Sequence, residues 1–356
     1  MNEIEKILKK IGSNKVDWVK LGDVCTFTRG KPLSSSDTIP GDVPVVSGGQ
    51  KPSFYHNRPN RVRNTITVAG SGASAGFVSY WEIPIWVADA FTVDPYEKLT
   101  LKYVYYFLKN NQEKIYRLQK GAGVPHVHGN DIAGIKIPVP KVPIQNWIVL
   151  ILDSFTTLID KMKQEVELRK KQMEYYRIFL INQILTDKVS ISSFTKILRG
   201  RRLTKNMLSE DYTYPVFHGG NEPIGFYKEA NREANSVMII NVGASAGTVG
   251  FCNSNFWSSD GCFCLQKNDD VLDKYVYYAL KNKEKQIMSM VRNAGIPTLD
   301  ASAVEKVEIP LPSLSTQRSI VSTLDAFEQY ISKLERLITL REKQYAYYRE
   351  KLLTFE

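Results

Sequence analysis

Apolar residues recur at alternating three- and four-residue steps over one long stretch of this chain. They fall at Leu152, Phe155, Ile159, Met162, Val166, Met173, Tyr176 and Leu180, with Arg169 in the one polar slot. That spacing is a heptad seam and predicts a long helix with an apolar stripe. Adding 172 to each number gives Leu324, Phe327, Ile331, Leu334, Ile338, Arg341, Tyr345, Tyr348 and Leu352, the same seam with its arginine in the same slot. Between Lys161–Arg177 and Lys333–Arg349, eight of seventeen residues are identical, so the chain is a tandem duplication. A striped helix must bury its stripe, and the nearest partner is its own copy. The pattern therefore predicts an antiparallel two-helix coiled coil with a pseudo-two-fold axis and one globular domain at each end. Each arm is about forty residues, roughly 60 Å at 1.5 Å rise. A charge in mid-seam is costly unless it reaches solvent or is paired. Arg169 and Arg341 either reach solvent or pin the register, with Glu165, Glu342 and Glu350 as candidate partners.

Ahead of each helix the pattern changes to short β-branched runs separated by Gly, Pro and Ser. In the first half, Val24–Thr28, Asn64–Ala69, Phe77–Trp81 and Ile85–Val93 read as strands. Lys31–Pro44 and Gly121–His128 read as loops. Leu101–Lys120 reads as a helix with Tyr103, Val104, Phe107, Leu108, Ile115 and Leu118 on one side. Ile137–Pro140 is extended, because each proline disfavours helix at the residue before it. The same order returns in the second half. Pro215–Asn221 matches Pro44–Gln50, Gly243–Gly247 repeats Gly72–Gly76 letter for letter, and Trp257–Asp260 answers Trp86–Asp89. Lys274–Asn282 answers Lys102–Asn110, Gly295-Ile-Pro297 answers Gly123-Val-Pro125, and Ile309–Pro312 answers Ile137–Pro140.

The expected fold is α+β, with two similar globular domains separated by the helix pair. The expected boundaries are 1–145 and 187–314 for the domains, and 146–186 and 315–356 for the helices. The copies keep glycines, prolines, the tyrosine-rich helix and the heptads. They differ in Lys31–Asp42 against Arg201–Asp211, His56–Arg63 against Lys228–Glu233, and His126–His128 against Thr298–Asp300. Like frames with unlike loops suit two sites that read different things. The tyrosines around Tyr103–Tyr106 and Tyr275–Tyr278 are expected in the core rather than as stacking platforms.

Charge narrows the partner. The net charge is +10 and the isoelectric point about 9.2, which favours a polyanion such as nucleic acid. Four cysteines (Cys25, Cys252, Cys262, Cys264) make no disulfide framework for 356 residues, so a reducing cytoplasm is expected. Met1–Gly12 reads as a short amphipathic helix without a cleavage site. The longest apolar run, Trp147–Leu152, is too short to cross a bilayer, so no membrane is expected.

Motifs for chemistry are weak. Gly70-Ser-Gly-Ala-Ser-Ala75 fits the dinucleotide pattern, but a strand-like Phe77-Val-Ser-Tyr80 follows where a helix should open, so a tight turn is the better reading. Asp94-Pro-Tyr96 falls short of an amino-methyltransferase motif, and its copy is absent. Cys262-Phe-Cys264 and His126-Val-His128 have the wrong spacing for zinc and no companion pair. No catalytic residue, metal or cofactor is expected.

The repeated Gly-Gly-x-x-Pro, Gly-Ala-Ser-Ala-Gly, Lys-Tyr-Val-Tyr-Tyr-x-Leu-Lys-Asn, Gly-[Val/Ile]-Pro and Ile-Pro-[Val/Leu]-Pro close each time with Gln145 or Gln317 and an Arg-x-Lys-Gln-x-x-Tyr-Tyr-Arg helix. This arrangement resembles the DNA-specificity subunit of Type I restriction–modification systems over essentially the whole chain. The opening Trp18–Val24 fits too, whereas Ile191–Gly200 has lost most of it, which blurs the start of the second domain.

The resemblance implies that each globular segment is a target recognition domain reading one half of a split, asymmetric double-stranded DNA site. The helices would dock modification subunits, two of them expected, with the restriction/translocase subunits joining indirectly. Catalysis would belong to those separate chains. Candidate DNA contacts in the first domain are Arg29, Lys31, His56, Arg58, Arg61, Arg63, His126 and His128. In the second they are Arg199, Arg201, Arg202, Lys205, His218, Lys228, Arg232 and Arg292. The competing readings are a stand-alone DNA-modifying or DNA-cleaving enzyme with a coiled-coil dimerisation arm, and a protein scaffold without nucleic acid.

Overall fold

The structure, a computed structural model, describes residues 16–121, 123–266 and 268–355; the expected helix at Met1–Gly12 lies outside them. The chain divides into two compact units, Met1–Lys163 with Arg336–Glu356, and Gln164–Glu335. Each unit takes half of each long helix.

The first unit runs β1 (Asp17–Lys20), a four-residue helix (Leu21–Val24), β2 (Cys25–Arg29), β3 (Val43–Val46), β4 (Phe54–His56), β5 (Thr65–Ala69), β6 (Val78–Trp81), β7 (Trp86–Val87) and β8 (Ala90–Pro95). Helices Leu101–Asn110, Gln112–Tyr116 and Gly129–Ala133 follow, then β9 (Lys136–Val139) and the first long helix, Val142–Asn182. Its main sheet has the order β2-β8-β5-β6, all antiparallel. A smaller sheet, β4-β3-β7, contains the parallel pair β3–β7, and β1 pairs with β9.

The second unit repeats this topology. Its strands are β10 (Lys188–Ser190), β11 (Ile197–Leu198), β12 (Tyr214–Phe217), β13 (Phe226–Tyr227), β14 (Ser236–Ile240), β15 (Val249–Cys252), β16 (Trp257–Ser258), β17 (Cys262–Leu265) and β18 (Glu308–Pro310). They form β11-β17-β14-β15, β13-β12-β16 and β10-β18. The second long helix is Leu314–Leu353.

Local chemistry explains the departures from the sequence reading. Val24 closes the four-residue helix, and the strand begins one residue later, at Cys25. The expected single helix Leu101–Lys120 breaks at Asn111, whose side chain donates to the Phe107 carbonyl. The Gly70–Gly76 segment is the tight turn from β5 to β6. Gly72 and Gly76 take φ of +83° and +86°, and Gly243 and Gly247 take +88° and +91° in the copy. At Gly76 a Cβ would also press Ile115 and Val127 at 3.0 and 3.2 Å. Where the second copy loses its sequence signature, the structure keeps the joint. Ile191 is fully buried and donates its N–H to the Val307 carbonyl, as Leu21 does to Ile135.

The tyrosine-rich helix is core in both units. Tyr103 and Tyr275 are fully buried and donate to the Pro138 and Pro310 carbonyls at 3.0 and 2.6 Å. Buried Gln145 accepts the Thr100 N–H and donates to the Lys98 and Pro140 carbonyls; Gln317 accepts the Leu272 N–H and donates to Pro312. These bonds tie each domain to the start of its helix.

Within each unit the helices run antiparallel. In the first, Leu152 shares a core with Tyr348 and Leu352, Phe155 stacks on Tyr348 at 5.6 Å, and Lys163 pairs with Glu342 at 2.7 Å. In the second, Leu324 shares a core with Ile181, Tyr176 stacks on Phe327 at 5.5 Å, and Lys170 pairs with Glu335 at 2.9 Å. Ile159, Val166, Ile331 and Ile338 are buried; Met162 and Leu334 are half-buried. Both seam arginines are half-buried and held by their own helix. Arg169 donates to Glu165 and Gln172, each at 2.7 Å, and Arg341 donates to Gln344 at 2.7 Å. Contrary to the expectation from apolar runs, Val142–Asn182 is long and apolar enough to cross a membrane by length and composition alone. Seam residues Leu152 and Ile159 of that helix are buried, whereas Trp147, Leu150 and Leu158 are exposed.

Candidate nucleic-acid interface

The expected contact residues separate into those that hold the fold and those that face outward. Arg61 donates to the Asn60 and Arg29 carbonyls at 2.9 and 3.2 Å, and Arg232 repeats this with Asn231 and Arg199 at 2.7 and 2.8 Å. Asn60 in turn brackets Val87 through both its amide groups, and Asn231 brackets Ser258. Arg61 and Arg232 are thus loop staples that keep their charge but leave fewer N–H donors for a ligand. The repeated Asn-Arg pair at an offset of 171 was the sequence signal for this role.

His56 is a correction: it is 2 % exposed, accepts the Ile39 N–H on Nδ1 and packs edge-on against Trp86 at 5.0 Å. A buried imidazole cannot reach a groove. Trp86 and Trp257 donate their indole N–H to the carbonyls of Lys31 and Arg201, anchoring the backbone of both variable loops. The side chains of Lys31, Arg201, Arg202 and Lys205 are exposed, as are Arg58 and Arg63. Arg58 leans over the Trp86 ring at 6.0 Å. Lys228 is exposed beside Glu229 at 3.5 Å.

A second group gathers at one end of each main sheet. In the first domain, Arg29, His126 and His128 line one cleft of about 230 Å³ with Asp89 and Asn130. The imidazole planes of His126 and His128 are nearly parallel, 4° apart, because the two residues alternate along an extended segment. That segment is bridged to Lys120 and Ser71. The Ser71 hydroxyl donates to Asp89. Lys120 pairs with Asp131 at 2.6 Å, and this hydrogen bond holds the Asp131 carboxyl below its ordinary value. Asp89, Lys120 and Asn130 were absent from the sequence-derived candidates. The repeated Trp-x-x-Asp motif marked Asp89, although it read as framework.

In the second domain the neighbouring groups have other partners. Arg199 lies over the Phe263 ring at 5.8 Å, His218 Nδ1 is 3.1 Å from Asp260, and Arg292 pairs with Asp300 at 2.7 Å. His218 Nδ1 also lies 3.1 Å from the Gly261 N–H. A nitrogen that accepts that N–H cannot donate to Asp260 at the same time. Among the described residues, no group of three His, Cys, Asp or Glu side chains is placed to hold a metal ion.

The chain matches the family described as Type I restriction modification DNA specificity domain twice, over residues 14–168 and 185–342. It belongs to that family. Among specificity-family relatives, the Type I restriction enzyme EcoR124I/EcoR124II specificity subunit of Escherichia coli is 24% identical over 419 residues, covering 100% of this chain and 98% of the relative. A Haemophilus influenzae protein bearing the name of a type I restriction enzyme specificity subunit is 26% identical, covering 99% and 98%. The crystal structure of a Type-I restriction-modification system S subunit from M. genitalium superposes with a TM-score of 0.71 at 21% identity, over 96% of this chain and 97% of that one. That likeness establishes the specificity-family fold for both halves.

Proposed function

We propose that this chain is the non-catalytic DNA-recognition and scaffolding subunit of a Type I restriction–modification complex. One globular domain, within 1–145, reads one half of a bipartite asymmetric site, and the other, within 187–314, reads the second half. The helices, within 146–186 and 315–356, dock the modification (methyltransferase) subunits. A framework that occurs twice offers equivalent docking surfaces, which suits two such subunits; restriction subunits join through them. The complex works in the cytoplasm.

The observation that carries this reading is the pairing of a duplicated, hydrogen-bonded framework with unlike basic loops anchored at matching points. Trp86 and Trp257 hold those loops in the same way, while the residues that they present differ. Arg29, Lys31, Arg58, Arg63, His126 and His128 supply the contacts of the first domain; Arg199, Arg201, Arg202, Lys205 and Lys228 supply those of the second. Lys and Arg hold phosphates, and the polar loop side chains read base edges. The test is binding of the complex with its modification subunit to a library of duplexes carrying randomised split sites. A selected two-part sequence supports the function; equal affinity for every sequence ends it.

A further inference from the structure

We propose that Asp89, in the cleft of the first domain, reads the exocyclic amine of a cytosine or adenine in that domain's half-site. The inference rests on the function above and adds the base class and the residue. A carboxylate is acceptor-only. Facing a base edge, it attracts the amine of cytosine N4 or adenine N6 and repels the carbonyls of guanine O6 and thymine O4.

A bare acid would also repel the DNA backbone. Here Arg29, His126 and His128 share its cleft and offer donors to phosphate or to the neighbouring base. Asp89 accepts from the Ser71 hydroxyl, which orients it, and no cation lies within ion-pair distance of it among the described residues. One carboxylate oxygen is therefore left for a ligand. The second domain supplies the contrast. Asp260 stands at the matching position and likewise accepts one serine hydroxyl, from Ser259 at 2.9 Å, but its neighbour is His218, 3.1 Å from the same oxygen. His218 occupies the place of Ser47, so the difference is written in the sequence of that loop. The same framework acid thus shares a cleft with Arg29, His126 and His128 in the first domain and stands beside His218 in the second.

The experiment uses the complex with its modification subunit and the split-site library, comparing wild type with Asp89→Ala, Asp89→Asn and Asp260→Ala. Asp89→Ala should lose roughly ten-fold or more of the preference for cytosine or adenine at one position of one half-site. The other half-site in the same molecules is the internal control and should be unchanged. Asp89→Asn keeps the shape and adds a donor, so preference at that position should move towards adenine. Should the alanine variant fail to fold, the asparagine variant carries the test. Asp260→Ala should leave the amine preference intact. Unchanged preferences in both Asp89 variants, or equal losses at both half-sites, would overturn the assignment while leaving the function standing. A wild-type complex without any preference would overturn both.

Discussion

The two recognition domains share a skeleton and differ in what surrounds the same acid. In both, a Trp-x-x-Asp motif ends just ahead of an interior strand of the main sheet, β8 or β17, the tryptophan anchors a variable loop, and an Asn-Arg staple holds the Arg29 or Arg199 carbonyl. In the first domain that acid shares an open cleft with two histidines and an arginine. In the second, a histidine from a different loop approaches it, and the arginine lies over a phenylalanine ring. The difference teaches where duplication tolerates change. Groups that satisfy buried backbone are retained in pairs, because losing one leaves a buried donor or acceptor unmet. Outward polar groups drift, because water can satisfy them.

If the framework is truly common to both halves, insults to it should cost the halves alike. The largest expected effect is alkaline. Burial, above all, raises the Tyr105 and Tyr277 hydroxyls from 10.0 to about 12, and raises Tyr103, Tyr106, Tyr275 and Tyr278 as well. The unfolded chain gives up these protons first. The stabilisation is therefore complete below pH 10 and lost as pH rises through the folded values. Each tyrosine contributes a slope of roughly 1.4 kcal/mol per pH unit above 10. Denaturant unfolding from pH 9 to 11 should show both halves weakening together; a plateau through pH 11 would contradict this packing.

Next in size are the seam substitutions. Ile159→Asp and Ile331→Asp each place a carboxylate at a site 6 % and 7 % exposed, and each should cost about 4 kcal/mol. Partner docking should weaken with the helix pair. Thermal unfolding reads the cost, and a marked inequality between the two would break the symmetry argument.

The framework was largely legible in the sequence for the same reason that it is shared. The heptads, the glycines at positive φ and the Lys-Tyr-Val-Tyr-Tyr helix each impose a spacing, and spacing survives in a one-dimensional string. Site chemistry was less legible. His56 and His126 both read as residues of polar loops, yet one ends a strand and packs edge-on against Trp86 while the other lines a cleft. Only tertiary contacts separate them. Arg61 read as a phosphate contact because its charge was visible and its carbonyl partners were not. Asp89 read as framework because its Trp-x-x-Asp setting repeats, and only the fold places it in a cleft with Arg29, His126 and His128.

A smaller effect sharpens the comparison. Gln145 makes three bonds to backbone where Gln317 makes two, one of them buried in each case. Gln145→Ala should cost about 3 kcal/mol and Gln317→Ala about 2. Equilibrium unfolding of the two variants measures the difference, and a reversed order would mean that the joint of the first domain is the looser one.

The smallest effect concerns position 300, where the second domain has an aspartate and the first has His128. Asp300 pairs with Arg292 at 2.7 Å on an exposed surface, so breaking the pair should change stability by less than about 1 kcal/mol. Asp300 also precedes the helix Ala301–Glu305, but its side chain makes no capping bond, so no helix is lost with it. What Asp300→Ala does change is charge: it frees Arg292 for phosphate. DNA binding should tighten by a few-fold at low salt, and the salt dependence should steepen by up to about 0.9 in the log–log slope. Asp300→His would do the same while copying the first domain's loop. An unchanged slope in both variants would mean that this loop stands away from the DNA in the second domain, and the two domains would then differ in which loops they use as well as in what those loops carry.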